Sequence, residues 1–248
     1  MELKILGFNI QCGGNREERA PRALAIIAEK DPDIIGFQEV VPKWMPLLAP
    51  LDEEYDHILQ YRHPDSEEAT PLYWKKSVFE LVEEKHFWLS ETPYKPSKGW
   101  NADYYRICSY AALRHKASGK LMYFYNTHFD WVGNGPRESA QLVIHRAETH
   151  GDAPVFCTAD FNFAPRSFGW HSMRSWFRDV REDIAPENKQ ATLHSYQERG
   201  EMESLIIDYC FYHGRGVKPT AYEVVNRCID GGYASDHHPV FYAFEVEE

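Results

Sequence analysis

The segment Val155-Phe156-Cys157-Thr158-Ala159-Asp160-Phe161-Asn162 begins as an apolar run and ends in the pattern Asp-x-Asn. A short apolar run bounded by polar residues is typical of a buried β-strand. The segment Tyr123-Phe124-Tyr125-Asn126-Thr127-His128-Phe129-Asp130 has the same form and ends in a histidine and an acid. Because polar groups at strand ends often face a cleft, both segments predict strands that carry chemistry at their exits.

Polar residues stand at the ends of two earlier apolar runs as well. Asn9 lies near the end of the run Leu3–Ile10, and Glu39 follows the run Asp33–Phe37. For Asn9 alone, the start of a turn before Gly13 is an equally good interpretation, and Glu39 alone could cap a following helix.

Two acids and a histidine complete the pattern. Asp208 interrupts the apolar segment Leu205–Tyr212. Because burying an unpaired carboxylate there would be costly, we expect Asp208 to have a partner. Asp236 and His237 stand directly before the last apolar run, Val240–Val246. A single histidine is more often structural than catalytic, but the repeated placement of such residues at strand ends favours a polar functional site.

Strand-like and helix-like segments alternate irregularly along the chain. Several predicted strands follow one another directly, which favours mixed sheets packed together and flanked by helices over a purely parallel sheet. No linker or repeat interrupts the sequence, so we expect one domain over residues 1–248, with a surface loop at Glu91–Trp100. The predicted strands are Leu3–Ile10, Asp33–Phe37, Leu72–Trp74, Val78–Val82, Ile107–Leu113, Leu121–Thr127, Val155–Thr158, Leu205–Tyr212 and Val240–Val246, and the predicted helices are Arg19–Glu29 and Pro136–Glu148.

Composition narrows the possible partners. The formal net charge of −11 opposes broad attraction to a polyanion and disfavours processive binding to duplex nucleic acid. The five cysteines are widely spaced and form no C-x-x-C pair, so neither a disulfide framework nor a thiolate zinc site is expected. The sequence shows no apolar leader and no apolar run of membrane-spanning length, from which we expect a cytoplasmic protein with no membrane partner.

Six motifs occur in an order that resembles the endonuclease/exonuclease/phosphatase superfamily, and they span nearly the whole chain. The resemblance implies a four-layer αββα sandwich, in which two mixed β-sheets pack face to face with helices outside. The segment Phe87–Pro93, followed by Arg106, is further similar to a bacterial branch related to deadenylase-like members. Two positions depart from the family pattern, Ala159 where glycine is usual and Ile206 where a basic residue is frequent, and neither removes a functional group. The six motifs are Phe8-Asn9-Ile10, Gln38-Glu39-Val40, Asn126-Thr127-His128-Phe129-Asp130, Asp160-Phe161-Asn162, Ile207-Asp208-Tyr209 and Ser235-Asp236-His237.

The resemblance also implies a role for each site residue. Mg²⁺ or Mn²⁺ would be held by Glu39, with Asn9 and Asp236 completing or orienting its ligands, because these ions favour carboxylates while keeping several waters. Asp160 would act on the attacking water, Asn162 on a phosphate oxygen or the nucleophile, and His237 would be paired with Asp208. His128 would act on the leaving oxygen, with possible support from Glu68. Arg106 would donate to the phosphate, although a surface salt bridge is an equally good interpretation of this residue by its type alone.

These roles predict a metal-dependent phosphoesterase that hydrolyses a P–O bond in a phosphodiester or phosphomonoester. Its partner would be a nucleic acid, a nucleotide or another small phosphorylated molecule, with no obligate protein partner. A catalytically inert phosphate-binding module, a phospholipid-directed phosphodiesterase and a purely structural metal site are the alternatives. Trp74, Trp100 and Trp131 could stack on a base or sugar, although ordinary packing is the better interpretation for each.

Overall fold

The computed structural model describes residues 1–247, and their strands form two six-stranded sheets and one two-stranded hairpin. The strands are β1 (Glu2–Asn9), β2 (Ile34–Gln38), β3 (Tyr55–Ile58), β4 (Tyr61–His63), β5 (Ser66–Ala69), β6 (Leu72–Lys75), β7 (Phe79–Trp88), β8 (Ile107–His115), β9 (Leu121–His128), β10 (Val155–Asp160), β11 (Arg178–Asp179), β12 (Asp208–His213), β13 (Val217–Val224) and β14 (Val240–Val246). The α-helices are α1 (Arg16–Lys30), α2 (Met45–Leu48), α3 (Gly135–Ala147), α4 (Phe168–Met173) and α5 (Val180–Ile184), and short 3₁₀ helices cover Pro42–Trp44, Ala49–Glu53, Glu148–His150 and Glu203–Leu205.

Each large sheet is built around one pair of parallel strands. Sheet I has the order β13-β14-β1-β2-β6-β3, and sheet II has the order β11-β12-β10-β9-β8-β7. In sheet I the parallel pair is β1 with β2, and in sheet II it is β9 with β10. The carboxyl ends of a parallel pair lie at the same edge of the sheet, so each sheet presents two strand exits side by side.

The apolar residues divide into three buried clusters that separate four layers. The cluster between the sheets includes Ile5 of sheet I and Phe124 of sheet II, while β4 and β5 form a separate small hairpin. A second cluster packs the buried face of α1, including Ala23 and Ile27, against the outer side of sheet I. A third packs α3, through residues such as Val143, against the outer side of sheet II. The predicted αββα sandwich is therefore confirmed, with its hydrophobic free energy drawn from all three clusters.

Both predicted helices form, and each begins with a recognisable signal. α1 starts after Asn15, whose side chain accepts a hydrogen bond from the backbone of Glu18. α3 carries Pro136 in its first turn, where the missing N–H costs nothing. No helix within residues 1–247 is both long enough and apolar enough to cross a membrane.

The predicted strands also form, but several boundaries were wrong. Residues 203–205 form a 3₁₀ turn, so Asp208 begins its strand instead of interrupting one. Strand β7 continues to Trp88, well past the predicted end at Val82. It is an edge strand whose charged side chains are exposed, which protects the edge but removes the apolar alternation that reveals a strand in sequence. The same reason explains why the hairpin β4–β5 and the edge strands β3, β11 and β13 were not predicted.

One buried amide joins the two sheets next to their strand exits. Asn126 of β9 donates to the carbonyl oxygens of Phe37 and Pro71 at 2.6 and 3.0 Å. Its own carbonyl accepts from Gln38 Nε2 at 2.7 Å and from Thr158 Oγ1 at 3.0 Å. All four hydrogen-bonding positions of this fully buried side chain are therefore satisfied, which makes the junction specific in distance and direction.

The sheets approach so closely at this junction that Gly36 has no room for a side chain. A Cβ atom there would lie 2.2 Å from Thr158 Oγ1 and 2.6 Å from Asn126 Oδ1. The glycine is therefore required by packing between the sheets.

We predict that Gly36→Ala lowers the free energy of unfolding by about 1–3 kcal/mol, because the added methyl must displace the Asn126 network. Chemical denaturation of the native and variant proteins measures this difference. Gly200→Ala is the matched control, since a Cβ at Gly200 meets nothing within 4 Å. Equal stability of the two variants would show that the sheets can separate at this point without cost.

Candidate active site

The two pairs of parallel strands, β1 with β2 and β9 with β10, bring the predicted site residues to one edge of the sandwich. Asn9 ends β1 and Glu39 follows β2 in sheet I, while His128 ends β9 and Asp160 ends β10 in sheet II. Asp208, the first residue of β12, lies directly opposite Asp160 in the antiparallel pairing of their strands. These polar residues therefore lie together in space, although Asn9 and Asp208 are about two hundred positions apart along the chain.

Glu39 is held in an unusual backbone conformation with its carboxylate fixed by two donors. Its φ of 61° lies in the left-handed region, which is rare for a residue other than glycine. Asn9 Nδ2 donates to Glu39 Oε1 at 3.0 Å, and the backbone N–H of Cys12 donates to Oε2 at 2.8 Å. Burial opposes ionisation, but these hydrogen bonds outweigh it and lower the pKa of Glu39.

Asp236 belongs to the same group and is positioned by two residues that the sequence did not single out. Gln11 Nε2 donates to Asp236 Oδ2 at 3.0 Å, and the hydroxyl of Tyr196 donates to Gln11 Oε1. Burial raises the pKa of Asp236, and the negative charge of Glu39 raises it further against the opposing effect of His237. The charge of Glu39 thus adds to the cost of ionising Asp236.

A buried Asp-His-Asp group lies beside these residues. His237 Nδ1 is 2.9 Å from Asp208 Oδ2, and its Nε2 is 3.7 Å from Asp160 Oδ2. Burial lowers the proton affinity of His237, but the two carboxylates more than compensate and raise its pKa to about 10. Burial, and then the charge of Asp208, raises the pKa of Asp160 to about 7. The partner expected for Asp208 is therefore His237.

His128 and Asn162 flank Asp160 on its other side. His128 Nε2 lies 3.4 Å from Asp160 Oδ2, while its Nδ1 is buried without a hydrogen-bond partner among the described residues. Burial and the nearby Arg106 and Arg62 guanidinium groups hold the pKa of His128 well below its usual range. Asn162, at a φ of 53°, donates one amide hydrogen to the Phe129 carbonyl at 2.9 Å, which leaves its second amide hydrogen for a ligand.

Arg106 is buried, which excludes the alternative of a surface salt bridge. Its side chain is 4% exposed, and its Nε lies 3.7 Å from Asp130 Oδ2. Tyr104 and Trp131 cover its guanidinium with ring centroids 5.3 and 5.6 Å away. A second buried arginine, Arg62, lies close enough for the two positive charges to oppose each other.

Arg62 corrects the expectation for Glu68. Glu68 Oε1 accepts a hydrogen bond from Arg62 at 2.5 Å, so its partner is this arginine and not His128. Sequence reasoning missed Arg62 because the hairpin β4–β5 that carries it has no apolar pattern. No motif marks Arg62 in the sequence, so only the tertiary contacts reveal it.

The three tryptophans named from the sequence have different environments. Trp74 is 2% exposed within the cluster between the sheets, which agrees with the favoured interpretation of ordinary packing and excludes a stacking contact with a substrate. Trp100 is partly buried against the core outside sheet II. Trp131 is 53% exposed beside Arg106 and stays available for a stacking contact.

The charge balance of the site fits a bound divalent cation. Four carboxylates gather here, those of Glu39, Asp160, Asp208 and Asp236, and within residues 1–247 none of them forms an ion pair with a lysine or arginine. The ligand atoms of Asp160, Asp208 and His237 also lie within 4.8 Å of one another, which is a spacing that could hold a metal. Clustered carboxylates without basic partners are the environment that Mg²⁺ and Mn²⁺ favour.

The fold and the site together define a class, the αββα sandwiches that gather carboxylate, asparagine and histidine side chains at one edge of two packed sheets. Within that class, the sequence model of the endonuclease/exonuclease/phosphatase family matches residues 6–237 of this chain. The chain therefore belongs to that family. The family predicted from the six motifs is therefore confirmed. No curated protein matches the chain in sequence.

Solved structures of bacterial proteins are similar to this chain along its whole length. An endonuclease/exonuclease/phosphatase from Bacteroides vulgatus has 28% identity, covers 100% of both chains and superposes with a TM-score of 0.91. A family protein from Bacteroides thetaiotaomicron has 25% identity, a TM-score of 0.86 and coverage of 100% of this chain and 99% of its own. A mannosyl-6-phosphatase from the same organism has 26% identity, a TM-score of 0.85 and coverage of 98% and 99%, respectively.

The carboxylates that lack a lysine or arginine partner predict that a divalent cation stabilises the fold. Saturating Mg²⁺ or Mn²⁺, at about 100 times its dissociation constant, should raise the Tm by roughly 5–10 °C. At the same concentration, the rise in Glu39→Gln should be roughly half of this or less, because one ligand charge is lost. Differential scanning calorimetry with and without metal measures both values.

Glu84→Gln is the control for this measurement, since Glu84 is exposed on β7, away from the site. A native protein whose Tm does not respond to either ion would contradict the interpretation of the cluster as a metal site.

Proposed function

We propose that this chain is a divalent-metal-dependent phosphoesterase that hydrolyses the P–O bond of a phosphorylated small molecule, nucleotide or nucleic acid. The observation that carries the proposal is the group of four carboxylates without lysine or arginine partners, one of which, Asp208, is paired with the buried His237, and which lie beside the buried Arg106. Negative groups for a metal and positive groups for a phosphate thus lie next to each other. Family membership supports the same chemistry.

The metal would be held by Glu39, with Asn9 and Asp236 completing or orienting its ligands. Bound Mg²⁺ or Mn²⁺ supplies Lewis-acid stabilisation of charge on the phosphate and on the leaving oxygen. Asp160, Asp208 and His237 are the less suitable ligand set, because a metal-bound histidine must be neutral whereas His237 is strongly favoured in its charged form. We therefore assign these three residues to the chemistry.

The attacking water would be oriented by Asp160 and Asn162. Asp160 sits at the centre of the group, where Asn9 Nδ2 donates to its Oδ2 at 3.0 Å and the backbone N–H of Asn162 donates to its Oδ1 at 3.0 Å. These bonds fix both carboxylate oxygens, so a water bound there has one direction of approach. The charged His237, held by Asp208, stabilises the negative charge of the phosphate.

His128 and Arg106 would bind the substrate on the opposite side. Both are more than nine-tenths buried, and a hydrogen bond from a buried donor to a phosphate oxygen is stronger than one made in water. His128 also lies close enough to the site to assist the leaving oxygen. Solved bacterial members of the family are similar to this chain over its full length, which supports the proposal.

The alternatives are distinguishable by their requirements. A catalytically inert phosphate-binding module would not need a metal ligand, a histidine-aspartate pair and a water-orienting acid together. A phospholipid-directed enzyme would need an apolar contact surface close to the site. A sugar phosphate is the favoured small substrate, since a solved relative at 26% identity is a mannosyl-6-phosphatase.

We predict that EDTA abolishes phosphate or nucleotide release and that Mg²⁺ or Mn²⁺ restores it, because the carboxylate cluster cannot stabilise phosphate charge without a cation. The assay offers a panel of sugar phosphates, nucleotides, short single-stranded DNA and RNA, and phospholipids. Glu39→Gln should reduce the metal-dependent rate to background, and Glu84→Gln should leave it unchanged. Turnover that persists in EDTA would refute the proposed mechanism.

We predict that His237→Ala lowers kcat by about 10²–10⁴-fold on the best substrate of that panel, the range expected for loss of a proton-transferring or charge-stabilising group. Asp208→Asn should lower kcat in the same direction, since it removes the carboxylate that orients and charges the imidazole. Circular dichroism establishes that the variants are folded. Near-native kcat in folded His237→Ala would remove this residue from the mechanism.

A further inference from the structure

Arg19 is a buried arginine of α1 that the proposed chemistry does not use. It is 4% exposed, and burial lowers the pKa of its guanidinium group. Its hydrogen bonds go to backbone carbonyl oxygens and not to a carboxylate. Because a cation is costly to bury, the groups that receive these hydrogen bonds indicate why an arginine stands at this position.

The four terminal N–H groups of Arg19 join two loops. One loop, residues 10–13, follows β1 and is here called the β1 loop. The other loop contains Ala234, which stands two residues before Asp236. The acceptors are the carbonyl oxygens of Ile10 at 2.6 Å and Ala234 at 3.1 Å for Nη1, and of Gln11 at 3.0 Å and Gly13 for Nη2.

The β1 loop gives one hydrogen bond to each residue proposed to hold the metal. The backbone N–H of Cys12 donates to Glu39 Oε2 at 2.8 Å, and the backbone N–H of Gln11 donates to Asn9 Oδ1 at 3.0 Å. The side chain of Gln11 donates to Asp236 Oδ2 at 3.0 Å. The position of this loop therefore sets the position of all three side chains.

Arg19 binds the same two peptide groups that reach Asn9 and Glu39. The peptide group before Gln11 presents its oxygen to Arg19 and its N–H to Asn9. The peptide group after Gln11 presents its oxygen to Arg19 and its N–H to Glu39. A trans peptide group is planar, so a carbonyl oxygen that is held in place also fixes the direction of the N–H on the other side.

The backbone of the β1 loop needs this support. Gln11 has a φ of 57°, in the left-handed region, and such a residue keeps this conformation only where its surroundings impose it. The Gln11 carbonyl oxygen accepts a second hydrogen bond from Trp44 Nε1 at 3.0 Å, and the Trp44 ring lies 5.0 Å from the Arg19 guanidinium. The Cys12 carbonyl accepts from Arg16 Nε at 2.7 Å.

We propose that Arg19 is a positioning residue of the metal site, which joins the β1 loop to the segment before Asp236 and so fixes Asn9, Glu39 and Asp236 relative to one another. The inference rests on the proposed function, in which these three residues hold a divalent cation. Arg19 acts through peptide groups and not by contact with the metal. Lysine cannot replace it, because an ammonium group has three donors on one atom, whereas the planar guanidinium fork reaches both loops.

The test measures the binding of Mn²⁺ and of Mg²⁺ to the full chain by isothermal titration calorimetry, which does not depend on turnover. Arg19→Lys keeps the positive charge and loses the fork. We expect the dissociation constant for either ion to rise about 10-fold or more, as it does when other groups that orient metal ligands are removed. Native metal affinity in folded Arg19→Lys would overturn the proposal.

Arg19→Met separates the position of the loops from the charge of the arginine. Loss of a nearby positive charge would by itself strengthen the binding of a cation. We expect weaker binding in this variant as well, by about 10-fold or more, because both loops lose their common donor. Tighter binding in Arg19→Met than in the native protein would show that Arg19 acts by charge alone.

The matched control is Arg22→Lys. Arg22 lies about one turn after Arg19 on α1, and its Nη2 is 2.9 Å from Glu18 Oε1, so it makes an ion pair at the surface of the same helix. This variant should bind both ions with native affinity.

A second variant, Gln11→Met, keeps Arg19 and removes the amide that reaches Asp236. It tests the same connection if the Arg19 variants do not fold. The dissociation constant for either ion should rise about 10-fold. Native affinity in Gln11→Met would overturn the connection from Arg19 to Asp236.

The kinetics give a readout that a loss of stability would not produce. On the fastest substrate of the panel, the Mg²⁺ concentration that gives half of the maximal rate should rise about 10-fold in Arg19→Lys. At saturating Mg²⁺, kcat should stay within about 3-fold of the native value, because His237 and Asp160 make no hydrogen bond with Arg19. A lower kcat with an unchanged Mg²⁺ requirement would contradict the assigned role.

Failure of the inference differs from failure of the proposed function. Native protein that binds both ions, with an affinity that Arg19→Lys leaves unchanged, would overturn the role of Arg19 alone. Native protein that binds neither ion would overturn the proposed function together with the inference.

Discussion

The geometry of the site depends on the buried amide of Asn126, which joins the two sheets. Its four hydrogen bonds engage Phe37, Gln38 and Pro71 of the first sheet's edge and Thr158 of the second. Successive residues of a strand point to opposite faces, so residues two apart share a face. Asn126 is therefore aligned with His128, Thr158 with Asp160, and Gln38 directly precedes Glu39. A displacement of the sheets at this amide would move the metal ligand relative to the catalytic group.

The site keeps several buried side chains charged, although burial alone would oppose their ionisation. Hydrogen bonds from Asn9 and Cys12 stabilise the Glu39 carboxylate, and His237 shares its charge between Asp208 and Asp160. On the other side, aromatic rings cover the buried arginines. The carboxylates thus stand beside buried arginines that already face Glu68 and Asp130. In the proposed function, a bound metal ion would balance the charge of the carboxylates.

The sequence revealed the site residues that stand out within their own segment. It missed those whose role arises from contacts with distant segments. The motif residues were found because polar side chains at the ends of apolar strands are conspicuous, and their pairing as His237 with Asp208 was expected. Arg62 was missed because it lies in a short polar hairpin. Gln11 and Tyr196 were missed because neither departs from its local pattern, and only their contact near Asp236 gives them a role.

The sequence by itself determined the αββα class, the family and the identity of the polar residues at the strand exits, because strand periodicity and short motifs are encoded over a few neighbouring positions. The tertiary structure alone decided which carboxylates lack a lysine or arginine partner and which nitrogen atoms are buried without a hydrogen bond. These properties depend on distances between segments that are remote in the chain, and a residue's type does not fix its neighbours.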